Sequence, residues 1–161
     1  MQSRLLHQQD GERTFAIGFA TGEQVMAGLR EFAQAEDLAA AEFRAIGALQ
    51  EATIAFFDWD TKAYKQMAIH TQVELLSLIG HVTLPADPDE EGERNLHVHV
   101  VLGRRDGTAA GGHLVEATAR PTVEVVLTEL PAHLVRRKDP ESGLPLIAPE
   151  VELEAPGPRS K

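Results

Sequence analysis

The sequence contains no cysteine. That excludes disulfides, iron–sulfur clusters, thiolate zinc sites and cysteine nucleophiles, and it is compatible with a reducing cytoplasm, the compartment expected for this chain. No apolar run approaches the roughly 18–20 residues that a membrane span needs. The opening MQSRLLHQQDGER has neither an apolar core region nor a cleavage-like site, so a secretory signal is not expected. No serine or threonine nucleophile motif and no phosphate-cradling glycine loop occurs. Basic residues are outnumbered, 15 against 25 acidic, for a formal net charge of −10. Sequence-independent DNA affinity comes mainly from Lys and Arg neutralising phosphates, so this balance disfavours direct DNA binding. Such binding would need a local basic patch such as Arg136-Arg137-Lys138, and that run reads as a solvated charge run near the end of a domain. Trp59 and Tyr64 are the sole residues of their kinds, and both read as packing on a hairpin or a rim.

What is present is enough for one ordinary domain: 161 residues, 43% of them hydrophobic. Thr14 to Phe19 reads as a strand. Thr21 and Gln24 have the spacing of a capping box, and Val25, Leu29, Phe32, Ala33 and Leu38 follow at near-helical spacing as an apolar stripe. Gly28 inside that helix marks close packing. Ala40 to Leu49 is ambiguous between helix and strand, with its second half read as strand. Ala52 to Trp59 and Thr61 to Ile69 read as a hairpin turning near Asp58-Trp59-Asp60-Thr61. Val73 to Leu84 is long, apolar and β-rich, a central strand in which Gly80 marks a bulge or a close approach. Pro85 to Arg94 is an acidic, proline-containing loop expected at the surface. Leu114 to Ala119 reads as a short second helix, and Pro121 to Leu130 alternates as a half-buried strand. The expected architecture is α+β: a mostly antiparallel sheet of about six or seven strands with one main helix packed on one face.

The chemistry lies between Asn95 and Leu114, NLHVHVVLGRRDGTAAGGHL. Leu96 to Leu102 reads as a strand, and alternation puts His97 and His99 on one face, about 6.5–7 Å apart at Cα. The partner face carries Leu96, Val98 and Val100. Arg104-Arg105-Asp106-Gly107 is a hairpin turn, the Asp-Gly pair suiting positive dihedrals. Gly111-Gly112 then allows a close approach of His113. Three imidazoles so gathered are the protein half of a site for zinc, copper, iron or nickel, with a position left for water or a small-molecule ligand. The alternative role for such histidines is hydrogen bonding at a subunit contact. His70, His81 and His133 read as hydrogen-bonded or solvated and stay outside the site, although His81 follows the central strand and could approach it. Glu74 and Glu51 are the candidate general bases for a metal-bound water; their structural alternative is pairing with an arginine such as Arg44 or with a backbone amide.

Five stretches in order, Ala45-Ile46-Gly47-Ala48-Leu49, Val73 to Gly80, Leu96-His97-Val98-His99, Gly111-Gly112-His113-Leu114 and Thr122 to Val126, resemble the plants-and-prokaryotes-conserved domain, which closes plant AT-hook nuclear proteins and stands alone in prokaryotes. The resemblance covers Thr14 to Asp139, leaving residues 1–13 as an N-terminal extension and residues 140–161 as a Pro/Glu-rich tail expected to be partly draped on the surface and partly disordered. It implies an α+β fold, a homotrimer and a frequent DNA-binding label. The chain has no Arg-Gly-Arg-Pro AT-hook, and its His97, His99 and His113 match the stand-alone prokaryotic type, for which the resemblance implies a metal, zinc foremost. Three functions follow as expectations: a trimeric metal-binding protein whose status as an enzyme is open, a DNA-associated regulatory protein, and a protein–protein scaffold. No membrane partner is expected.

Overall fold

A computed structural model describes residues 1–85 and 94–150. Nine strands and one helix follow in the order β1 (Gln2–Gln9), β2 (Glu12–Ala20), α1 (Val25–Ala35), β3 (Ala41–Asp58), β4 (Ala63–Ile69), β5 (Val73–Pro85), β6 (Asn95–Gly103), β7 (Ala109–Glu129), β8 (Val135–Lys138) and β9 (Pro145–Ile147). All strand pairs are antiparallel except β5 with β8. The α+β expectation holds for the mostly antiparallel sheet and the single helix; the strands number nine rather than six or seven.

Two long strands organise the sheet. The first half of β3 pairs with β5 and its second half with β4, while β7 lies along both halves of β3. The short β6 pairs with β5 on one side and with the start of β7 on the other. The pairings therefore close a circuit, β3–β5–β6–β7, and the sheet wraps around its own core. Alternation along β3 puts Ala41, Phe43 and Ala45 inside and Glu42, Arg44 and Ile46 outside. The inner faces meet Val25, Leu29, Phe32 and Ala33 of α1 in one continuous cluster. No described helix is long and apolar enough to cross a membrane.

Several local expectations give way to tertiary context. Leu114 to Ala119 is not a helix but the middle of the 21-residue β7, where Leu114, Ala117 and Ala119 are buried against β3. Helix propensity of Ala and Glu is worth only tenths of a kcal/mol per residue, far less than that burial. Ala41 to Leu49 is strand throughout for the same reason. The capping box does not form: Gln24 is the N-cap without a side-chain cap, Thr21 Oγ1 donates to Pro121 O and Gln24 Nε2 to Thr118 Oγ1. Residues 2–9 form β1, paired along β2. Gly28 does mark close packing, against the Phe19 ring, and Gly80 a close approach to Phe43. Residues 86–93 of the expected acidic loop lie outside the described residues; Arg94 at its end is buried and pairs with Asp37. Of the tail, β9 pairs with β8, Ser142 and Ala148 are buried, and residues 151–161 are outside the described part.

Candidate metal centre

The β6–β7 hairpin builds the site. Its three-residue turn is closed by Arg104 N donating to Thr108 O at 2.8 Å, with Gly107 at φ +85° and Asp106 Oδ1 accepting from the Thr108 amide and hydroxyl. The turn fixes a register in which His99 stands opposite His113. Val98, Val100 and Leu102 are buried in the core, which turns His97 and His99 to the outer face. Gly111 and Gly112 have ordinary negative φ; their role is clearance. A Cβ on Gly111 would sit 2.8 Å from Val100 O, and one on Gly112 would sit 2.7 Å from Ala55 O. The lack of side chains lets β7 press against β6 and β3 beside His113.

Three imidazoles converge as the spacing predicted. One ring nitrogen from each of His97, His99 and His113 lies within 4.8 Å of the other two. Ring centroids are 5.0 Å apart for His97–His99, 5.2 Å for His97–His113 and 5.7 Å for His99–His113. His99 is exposed; the other two are half-buried. Burial holds His97 down to about 4, with the charges of Arg136, His113, His99 and His81 pushing the same way. His113 is lowered by burial, then by His99 and Arg136. Neutral imidazoles are the form that ligates metals. His113 Nδ1 is buried with no described partner, an orphaned donor–acceptor that a metal or a ligand would satisfy.

A model of the Plants and Prokaryotes Conserved (PCC) domain matches residues 6–131. The chain belongs to this family. PCC-type neighbours among solved structures agree over nearly the full length. A PPC protein from Pyrococcus horikoshii is 31% identical, with TM-score 0.76, covering 94% of this chain and 97% of its own. A metal-containing protein from Archaeoglobus fulgidus is 30% identical, with TM-score 0.76 and coverage of 84% and 92%. A "Putative DNA-binding protein" from Ralstonia eutropha JMP134 is 26% identical, with TM-score 0.77 and coverage of 89% and 94%. No curated protein matches the sequence.

Around the triad of this PCC domain stand residues that the sequence did not single out for it. Tyr64 of β4 lies 4.9 Å from the His113 ring, centroid to centroid, and Phe57 lies 5.3 Å from Tyr64. Arg136 is not a solvated charge. It is 8% exposed, and its Nη2 is 3.0 Å from His97 Nδ1. Its neighbour Arg137 is exposed and 3.6 Å from Glu150. His81 pairs across the strands with His97, and its Nδ1 is buried without a described partner; both nitrogens of His133 are likewise buried and unpartnered, against the expectation of hydrogen-bonded or solvated rings. The candidate carboxylates are elsewhere. Glu74 stands opposite Gly103, four residues along β6 from His99, or about 13 Å at 3.3 Å per residue. Glu51 pairs with Thr118, five residues along β7 from His113 or about 16 Å, and accepts from Thr118 Oγ1 at 3.4 Å. His70 lines a small surface cavity with Glu51 and Glu116.

Proposed function

We propose that this PCC-domain protein binds one divalent transition metal ion, zinc foremost, through His97, His99 and His113, and works as a homotrimer. The convergence of three imidazole nitrogens within 4.8 Å carries the reading. Support comes from the donor chemistry: imidazole suits zinc, and cysteine is absent. The metal-containing relative from Archaeoglobus fulgidus points the same way. A zinc ion so held would keep an open position and could bring the pKa of a bound water to about 7. The chain's own residues orient the ligands and limit water: the β6–β7 register fixes His99 against His113, and Tyr64 walls one side. Neither Glu74 nor Glu51 lies within reach of the site, so a general-base role for either finds no support in the geometry.

The trimer is supported by an unusual outer surface. Ile46 and Ile79 are each 61% exposed and Leu76 54%, with Val101 and Val126 beside them, lining or flanking one groove. Ile79 pairs across the strands with His99, so this apolar row abuts the imidazoles. A contiguous apolar patch of this kind marks an interaction surface. The DNA-associated reading rests on the description of relatives such as the Ralstonia protein; the net charge of −10 and the burial of Arg136 count against it. The scaffold reading would use the same apolar groove.

Chelator-treated protein titrated with zinc tests the metal reading. One ion per chain is expected, with His99→Ala weakening binding at least about a hundredfold, since a lost ligand costs more than the 10–100-fold of a lost outer-shell partner. Unchanged binding in His99→Ala would overturn it. Light scattering should give three chains per particle, falling to one for Ile79→Asp, and a mobility shift at low salt should show no DNA retardation.

A further inference from the structure

Arg136 is buried beside the triad. Among the described residues no carboxylate reaches it. Its Nη1 donates to Pro145 O at 2.8 Å, its Nη2 contacts His97 Nδ1, and its Nε is sealed from solvent without an acceptor. A buried ion left without a partner is strongly unfavourable, so the arrangement calls for something that this strand pairing alone does not supply.

The contact with His97 has a chemical consequence. Arginine carries only donors, so His97 Nδ1 must offer its lone pair. A neutral imidazole that ligates a metal cannot do this. If Nδ1 is the ligand atom, its lone pair is taken; if Nε2 is, the proton sits on Nδ1. Either way metal binding evicts Arg136 Nη2 from His97. The eviction leaves Nη2 and Nε both without acceptors, and these two form one straight edge of the guanidinium. That edge matches the two oxygens of a carboxylate. Nη1 stays tied to Pro145 and holds the plane in place. Tyr64 stands within electrostatic reach of Arg136 and against His113, an aromatic wall for the organic remainder of such a ligand.

Resting on the metal reading above, we infer that the His97–Arg136 pair is an exchange contact: the metal takes His97 from Arg136, and the freed Nε–Nη2 edge captures the carboxylate of a small organic anion beside the metal. Metal and anion therefore bind cooperatively, and the ligands of this site are small carboxylates.

Calorimetric titration with acetate tests this on full-length protein, zinc-loaded and zinc-free, as wild type, Arg136→Met and Arg136→Lys. Acetate should bind the loaded wild type at least about tenfold more tightly than it binds the zinc-free wild type or loaded Arg136→Met, a normal size for coupling between two sites. Arg136→Lys keeps the charge and loses the fork, and should fall at least threefold below wild type; if Arg136→Met does not fold by circular dichroism, this variant decides. Zinc itself should bind Arg136→Met more tightly than wild type, because nothing competes for His97. Equal acetate affinity in wild type and variants, acetate binding indifferent to zinc, or capture of inorganic phosphate in place of acetate would each overturn the inference while leaving the metal site standing. Failure of the wild type to take up zinc would instead overturn the reading beneath it.

Discussion

Arg13 and Arg136 are both cations drawn into the body of the protein, and the chain treats them in opposite ways. Arg13, on β2, spends four of its five donors on two acids and a carbonyl. Its Nε and Nη2 grip Glu129 at 2.6 and 3.2 Å, its Nη1 meets Glu36 at 2.8 Å and its Nη2 also reaches Glu36 O at 2.7 Å. The hydrogen bond to Glu129 raises its pKa against the opposing effect of burial. Arg136 is more deeply buried, yet its pKa is lowered by that burial, with only Tyr64 opposing. The first is a clamp joining the start of β2 to the end of β7 and the turn after α1. The second is a charge with no carboxylate partner among the described residues, placed against a metal-type triad. A fold keeps the first kind for stability; the second kind is tolerable where a ligand completes it.

The contrast can be broken at either arginine. The largest effect is expected from Glu129→Ala, which removes the more buried of Arg13's two carboxylate partners, itself 4% exposed, and leaves Glu36 as the other; removing one partner of a buried pair costs about 3 kcal/mol, read as a shift in the denaturant midpoint. A smaller loss, about 1–3 kcal/mol by analogy with overpacking, is expected for Gly112→Ala, whose Cβ would press on Ala55 O. If that variant is as stable as wild type, the glycines do not set the spacing of the triad. Acidification should act on the Arg136 side through His97. Burial holds His97 near 4 against 6.5 for an ordinary histidine, so the unfolded chain takes a proton that the folded chain refuses. For metal-free protein this penalty is absent above about pH 6.5 and grows as the pH falls toward 4. His97→Gln should flatten that part of the melting-temperature profile. The smallest effect is expected from Arg136→Met: with no counter-charge among the described residues to strand, the change should be within about 1 kcal/mol of neutral, or stabilising. A loss as large as that of Glu129→Ala would show that Arg136 is a structural clamp after all.

Much of this was legible in the residues. Alternation located the end of β7, because one-sided burial leaves a period of two, and apolar, β-rich runs located the cores of β2, β3, β5 and β6. The triad was legible for the same reason: His97 and His99 differ by two, and an Asp-Gly turn followed by Gly-Gly returns the chain to His113. What escaped lacked such a signature. β1 is exposed along its whole length and carries no apolar alternation. β8 and β9 are four and three residues long. The place of Arg136 depends on the parallel pairing of Leu84 with Val135, 51 positions apart in the chain, which no local pattern announces. Tyr64 reaches His113 through the pairing of β4 with β3 and of β3 with β7, two registers removed from its own sequence neighbourhood. Glu51 and Glu74 were drawn to the site by residue type; the strand registers place Glu74 at the start of β5 and Glu51 midway along β3, both well away from the triad.

The most direct test of the central claim is anomalous scattering at the zinc edge from crystals of zinc-loaded protein. The account predicts one strong peak per chain at bonding distance, about 2.0–2.1 Å, from a ring nitrogen of His97, His99 and His113, with Arg136 Nη2 withdrawn from His97 Nδ1. A peak held by other residues, or three rings turned apart with no peak between them, would contradict it.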